Sequence, residues 1–97
     1  DIPNTVAGAV RAVTAIAPHY LTIHASGGTA MMQAASEAAG SEAEKRKITA
    51  PKILAVTVLT SLDDPALDDV GQLTPSGVQV IRLARLAAES GVAGVVC

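Results

Sequence analysis

A chain of 97 residues with seven Lys and Arg against nine Asp and Glu lacks the basic stripe that a nucleic-acid surface needs. Nearly half of it is apolar, too much for a disordered segment, yet no apolar run approaches the ~20 residues of a membrane span. With a single cysteine, Cys97, no internal disulfide is possible, and no charged leader precedes an apolar stretch. Composition therefore points to a soluble protein of a reducing, cytoplasmic setting, with neither nucleic acid nor membrane as partner. One Tyr and no Phe or Trp leave the core to Ala, Val, Leu and Ile, the residues of closely packed helices on a buried sheet.

Taken in order, Asn4 or Thr5 can cap a helix whose Val6, Val10, Val13 and Ala17 recur at helical spacing. Pro18 stops it, because proline disfavours helical geometry in the residue before it. Tyr20 to Ala25 reads as a short strand, and Ser26, Gly27 and Gly28 as a tight turn. A second helix is predicted from about Thr29 to Ala39, with Gly40 closing it. Ser41 and Glu44 then fit the Ser-x-x-Glu pattern of a further short helical turn. Ile53 to Leu59 is a β-rich apolar run, as expected of a strand covered on both faces. Pro65 opens a short helix ending near Gly71. Thr74 and Pro75 signal the cap and first residue of a longer one, with Val80, Leu83, Ala84 and Ala87 as its buried stripe and Gly91 as its end. Val92 to Cys97 is the last strand.

Apolar strands alternating with amphipathic helices call for parallel βαβ units. About three such units are present, whereas an eight-fold barrel needs ~250 residues. The sheet would have open parallel edges that a finished domain covers or closes. The expectation is an internal piece of a larger α/β domain rather than a complete one.

Asp1-Ile2-Pro3-Asn4-Thr5 resembles the end of the Asp-x-Lys-x-x-Asp-Ile-Pro-Asn-Thr signature of orotidine 5′-phosphate decarboxylases. Three later stretches agree in kind and order. His24 to Gly28 followed by Met31-Met32 is similar to the family's fourth strand and the turn into its fourth helix. Ile53 to Leu62 is similar to the fifth strand and loop of its bacterial branch, and Gly94 to Cys97 to its sixth strand. The likeness spans essentially all 97 residues.

This resemblance implies a fragment of a TIM (β/α)8 barrel, residues 1–97 running from the third-strand loop through the sixth strand. It also implies a homodimer with shared active sites and loss of CO2 from orotidine 5′-phosphate to give UMP, without metal or organic cofactor. By motif match Asp1 is the catalytic carboxylate lent to the partner subunit, and Thr5 reaches the substrate ribose across the same interface. Ile2 lines the pyrimidine pocket of that donated segment, and Thr60 contacts substrate within its own subunit. The lysine expected three residues before Asp1 is not in the chain, so the 97 residues alone are expected to be inactive.

Other polar residues have plainer readings. Thr60 by itself would ordinarily be a capping hydroxyl, and Asp1 a solvated acid. His24, inside a strand, reads as a hydrogen-bonded core residue, and His19 as a surface one. Gly27-Gly28 could cradle a phosphate at a helix start but fits a tight turn better. Asp63-Asp64 and Asp68-Asp69 suit helix starts, where acids favour the macrodipole, and need no metal. Lys45-Arg46-Lys47 beside Glu42 and Glu44 is a mixed-charge helix surface. Met31 and Met32 are packing residues. Two other functions fit less well: a Mg²⁺-dependent sugar-phosphate decarboxylase or aldolase on the same barrel, and a non-catalytic fragment that associates with itself through its open edges.

Overall fold

A computed structural model describes all 97 residues. The elements in order are α1 (Pro3–Thr14), β1 (Tyr20–His24), a one-turn 3-10 helix (Ala25–Gly27), α2 (Thr29–Arg46), β2 (Lys52–Val56), α3 (Asp64–Asp69), α4 (Ser76–Glu89) and β3 (Gly94–Val96). The three strands form one sheet in the order β1-β2-β3, and both pairings are parallel. This is the strand-and-helix alternation of part of a TIM barrel, as the sequence predicts.

Helix boundaries differ from expectation where a local signal is outweighed. α1 begins at Pro3, whose fixed φ and missing N–H suit the first helical position, so Asn4 and Thr5 lie inside the helix and cap nothing. Its end comes at Thr14, where the buried hydroxyl donates to the Val10 carbonyl at 2.7 Å, and Ala17 turns away with φ 52°. Gly40 does not close α2. The helix runs through it to Arg46, burying Glu42 and Ala43 beyond the glycine and pairing Arg46 Nε with Glu42 Oε1 at 2.8 Å. Ser41 and Glu44 form no capping box; the Ser41 hydroxyl donates back to Ala38 O at 3.4 Å. The true end is a Schellman turn with Lys47 at φ 56°, where Ile48 N–H donates to Ala43 O and Lys47 N–H to Glu44 O.

α3 starts on Asp63, whose carboxylate accepts the Ala66 N–H at 3.0 Å. Asp68 and Asp69 fall at its C-terminal end, not at a helix start. α4 begins one residue later than the Thr74-Pro75 pattern suggests, after a cis Thr74–Pro75 bond. Its first N–H, that of Ser76, donates to Asp64 Oδ1 at 2.8 Å, so the cap comes from twelve residues upstream. Gly71 and Gly91, both at positive φ, end α3 and α4 as expected.

The strands cover one another differently from the two-sided burial expected of Ile53 to Leu59. Along β2 burial alternates: Ile53 and Ala55 are buried, Lys52 is exposed and Leu54 and Val56 are half-buried. Ile53 joins Val10 of α1 and Ala35, Ala38 and Ala39 of α2 in one cluster. Ala55 joins Met31 and Met32 of α2, Leu67 of α3 and Leu83 and Ala87 of α4 in a second. All four helices thus pack on the same face of the sheet, and the opposite face is open. β2 itself stops at Val56. Thr57 then pins the chain to the end of β3, its N–H and its hydroxyl each donating to Val96 O at 3.0 Å.

Candidate active site

In parallel sheets with helical crossovers, functional groups collect on loops that follow the C-terminal ends of the strands. Here that end of the sheet carries the Ala25–Gly27 turn after β1 and the Thr57–Asp63 loop after β2. Asp1 meets the first of these. A Cβ placed on Gly27 would stand 3.4 Å from Asp1 Cβ, and Asp1 and His24 line one cleft of about 240 Å³ between α1 and the free edge of β1.

Ile2 precedes α1 with extended backbone (φ −82°, ψ 129°), and its carbonyl accepts the Val6 N–H, so helix entry holds the Asp1-Ile2 segment beside the turn. Ile2 is 68% exposed, a large apolar side chain presented outward. Thr5, on the first turn of α1, is exposed too. Thr60 occupies a turn closed by Leu62 N–H donating to Leu59 O at 3.0 Å, and its hydroxyl is free. Thr60 therefore sits on the loop that follows β2 and Asp1 stands against the turn that follows the adjacent parallel strand β1, but the cleft that Asp1 lines does not include Thr60.

Asp1 makes no ion pair; the one salt bridge of the chain is Glu42–Arg46. Its three lysines are at the far end of the structure: Lys45 and Lys47 end α2, and Lys52 opens β2. Lys52 lines the largest cleft, of about 540 Å³, with Ala17 to Tyr20 at the N-terminal ends of β1 and β2. That cleft is larger than the one at Asp1 but lies at the end of the sheet opposite the loops that follow β1 and β2.

Two residues gain importance over the sequence reading. His24 is not a hydrogen-bonded core residue: it is exposed, because its position in β1 alternates with the helix-facing Leu21 and Ile23, and it lines the Asp1 cleft. That alternation is the signal that would have placed it. Gly27 also makes a close approach, since a Cβ there would fall 2.2 Å from Met31 Cε and the buried Met31 side chain would have to shift. The other readings hold in outline: Met31 and Met32 are core and His19 is exposed. No helix is long and apolar enough to cross a membrane.

The sequence profile of the family described as orotidine 5'-phosphate decarboxylase / HUMPS matches residues 1–97. A Rhodospirillum rubrum protein named orotidine 5'-phosphate decarboxylase is 58% identical over the whole of this chain and 39% of its own length. A Paramagnetospirillum magneticum protein of the same name is 54% identical over the whole chain and 41% of its own. The crystal structure of orotidine 5'-phosphate decarboxylase from Lactobacillus acidophilus superposes with a TM-score of 0.91 at 37% identity, over 100% of this chain and 43% of that one. The chain thus spans about two fifths of the length of the curated relatives it matches. With the fold and the profile match over residues 1–97 in agreement, these residues belong to the orotidine 5'-phosphate decarboxylase / HUMPS family.

Proposed function

We propose that the complete protein carrying these residues converts orotidine 5′-phosphate to UMP and CO2, as a cytoplasmic homodimer with shared active sites and no cofactor. In this reading residues 1–97 run from the third-strand loop to the sixth strand of its barrel. The observation that carries it is the position of the Asp1-to-Thr5 segment. Asp1, which opens the stretch similar to the family's signature, stands against the Gly27 turn, at the strand end where barrel enzymes keep their chemistry.

Breaking the bond between the carboxyl carbon and C6 of the pyrimidine releases CO2 and leaves an electron pair on C6. A fixed lysine ammonium stabilises that pair and then protonates C6. The role of Asp1 is to keep the ammonium charged and in place, since an opposite charge within a few Å favours the charged form. The lysine is assigned to the residue three places before Asp1, in the copy belonging to the partner subunit whose site Asp1 enters. Thr5 and Ile2, exposed beside Asp1, are suited to reach a partner's substrate, at the ribose and the pyrimidine respectively. Thr60 supplies a free hydroxyl from its own subunit.

The test is a graft. Residues 1–97 replace the matching stretch of the Rhodospirillum rubrum decarboxylase, and release of CO2 from orotidine 5′-phosphate is measured. The graft is expected to turn over, with no loss on EDTA treatment. Asp1→Asn in it should lower kcat by about 10²–10⁴-fold, the scale of a lost general acid or charge stabiliser. A folded, dimeric graft without turnover, or one indifferent to Asp1→Asn, would refute the proposal. The 97-residue chain by itself is expected to be inactive.

A further inference from the structure

We propose that Gln79 is a positioning residue for the Thr60 turn, acting through a side-chain latch to Gln72; this rests on the substrate contact proposed above for Thr60.

Gln79 is out of place chemically. It lies on the inner face of α4 with 7% exposure, one helical turn before the buried Leu83 and next to the half-buried Val80. Its Nε2 donates to Gln72 Oε1 at 3.1 Å, while its own Oε1 is buried with no partner. A buried acceptor left without a donor is penalised by lost hydration, and a single bond between uncharged amides does little to offset that. An apolar side chain of the same length would suit stability better. The amide is therefore explained by what it holds.

It holds the excursion between β2 and α4. Gln72 lies beyond α3, and its N–H donates to Leu67 O at 3.1 Å. The Leu67 side chain is fully buried in the cluster that also contains Val58 and Leu83, with Leu62 packed against it. Val58 and Leu62 flank the turn that carries Thr60. Hydrogen bonds thus link the Gln79 amide through Gln72 to Leu67, and the cluster that Leu67 joins takes in Val58 and Leu62 from both sides of that turn. The second tether of the excursion, Ser76 N–H to Asp64 Oδ1, is exposed to competing water. The glutamine pair is partly shielded from it, which makes it the better clamp.

The experiment uses the complete grafted decarboxylase with Gln79→Leu, Gln72→Leu and the double variant. Amide exchange over 57–62 and 70–75 is expected to speed up by about tenfold while β1, β2 and α2 keep their protection, the mark of local rather than global opening. KM should rise by at least about fivefold with kcat within about twofold, the pattern of lost binding rather than lost chemistry. Because both single variants remove the same bond, the double variant should be no worse than either. Unchanged exchange or KM, additive effects, or faster exchange spread over the whole chain would each overturn the proposal. Should the unmodified graft lack turnover, the Thr60 reading fails on its own, and the exchange measurements still decide the latch.

Discussion

Gly27→Ala isolates the packing that brings Asp1 to the strand end. The added methyl would sit 2.2 Å from Met31 Cε and 3.3 Å from Met31 Cγ. Met31 is 0% exposed in a cluster closed by Ala25, Met32, Ala55 and Leu67, each also 0% exposed, so a rotamer change alone gives it no room. The backbone at Gly27 is not in the left-handed region, unlike Gly28 at φ 91°, so the cost is steric alone. Overpacking by one carbon in such a site costs about 1–3 kcal/mol. At about 4–8 °C per kcal/mol for a chain of this size, the melting temperature should fall by roughly 5–20 °C. Urea unfolding followed by circular dichroism gives the free energy, and the Met31→Ala background supplies the control. Met31→Ala alone costs about 2–5 kcal/mol by emptying the site. Within that background Gly27→Ala should then cost less than about 0.5 kcal/mol, since its collision partner is gone. An equal penalty in both backgrounds would show that Gly27 is needed for some reason other than Met31, and the packing argument would fall.

Two further substitutions test α2. Gly40→Ala should stabilise by about 0.5–1 kcal/mol, read as a higher urea midpoint, because Gly40 is an exposed residue of a helix interior with open space where its Cβ would go; a helix that ended there would be destabilised instead. Lys47→Gly should add about 1 kcal/mol by removing a side chain from the left-handed position of the Schellman turn. A lower thermal midpoint would contradict this, since Lys47 is exposed and pairs with no acid.

How far the fold was legible depends on how local its causes are. Parallel strands alternating with helices follow from apolar runs and helical spacing, both properties of contiguous residues, and the structure has them in the expected order. Strand ends were less legible. Val58 is as apolar as a strand residue, but it is buried in the loop beyond β2, plugging the core beside Leu67. The false stop at Gly40 has a related cause. Glycine weakens a helix by about 1 kcal/mol, and burial of Ala43 with the Glu42–Arg46 pair beyond it outweighs that. The start of α4 was beyond local reading altogether, because the acceptor for Ser76 is a carboxylate on the preceding helix.

The site divides along the same line. Asp1 to Thr5 could be recognised because a motif is contiguous, and the structure sets Asp1 beside the Gly27 turn at the C-terminal end of β1. What surrounds it is assembled from separate βα units, each top-of-strand loop being divided from the next by a helix. Neither Gly27 under Asp1 nor the Gln72–Gln79 clamp beyond Thr60 has any signature in neighbouring residues. Both were hidden behind residue types with ordinary meanings, a glycine in a turn and a glutamine in a helix. Their surroundings make them unusual. Gly27 is closed in by a methionine with no exposure, and Gln79 keeps a polar oxygen where water does not reach. A residue whose size or chemistry is tied to such close surroundings is explained by geometry it enforces nearby. In both cases the geometry enforced is that of a loop at the C-terminal end of the sheet.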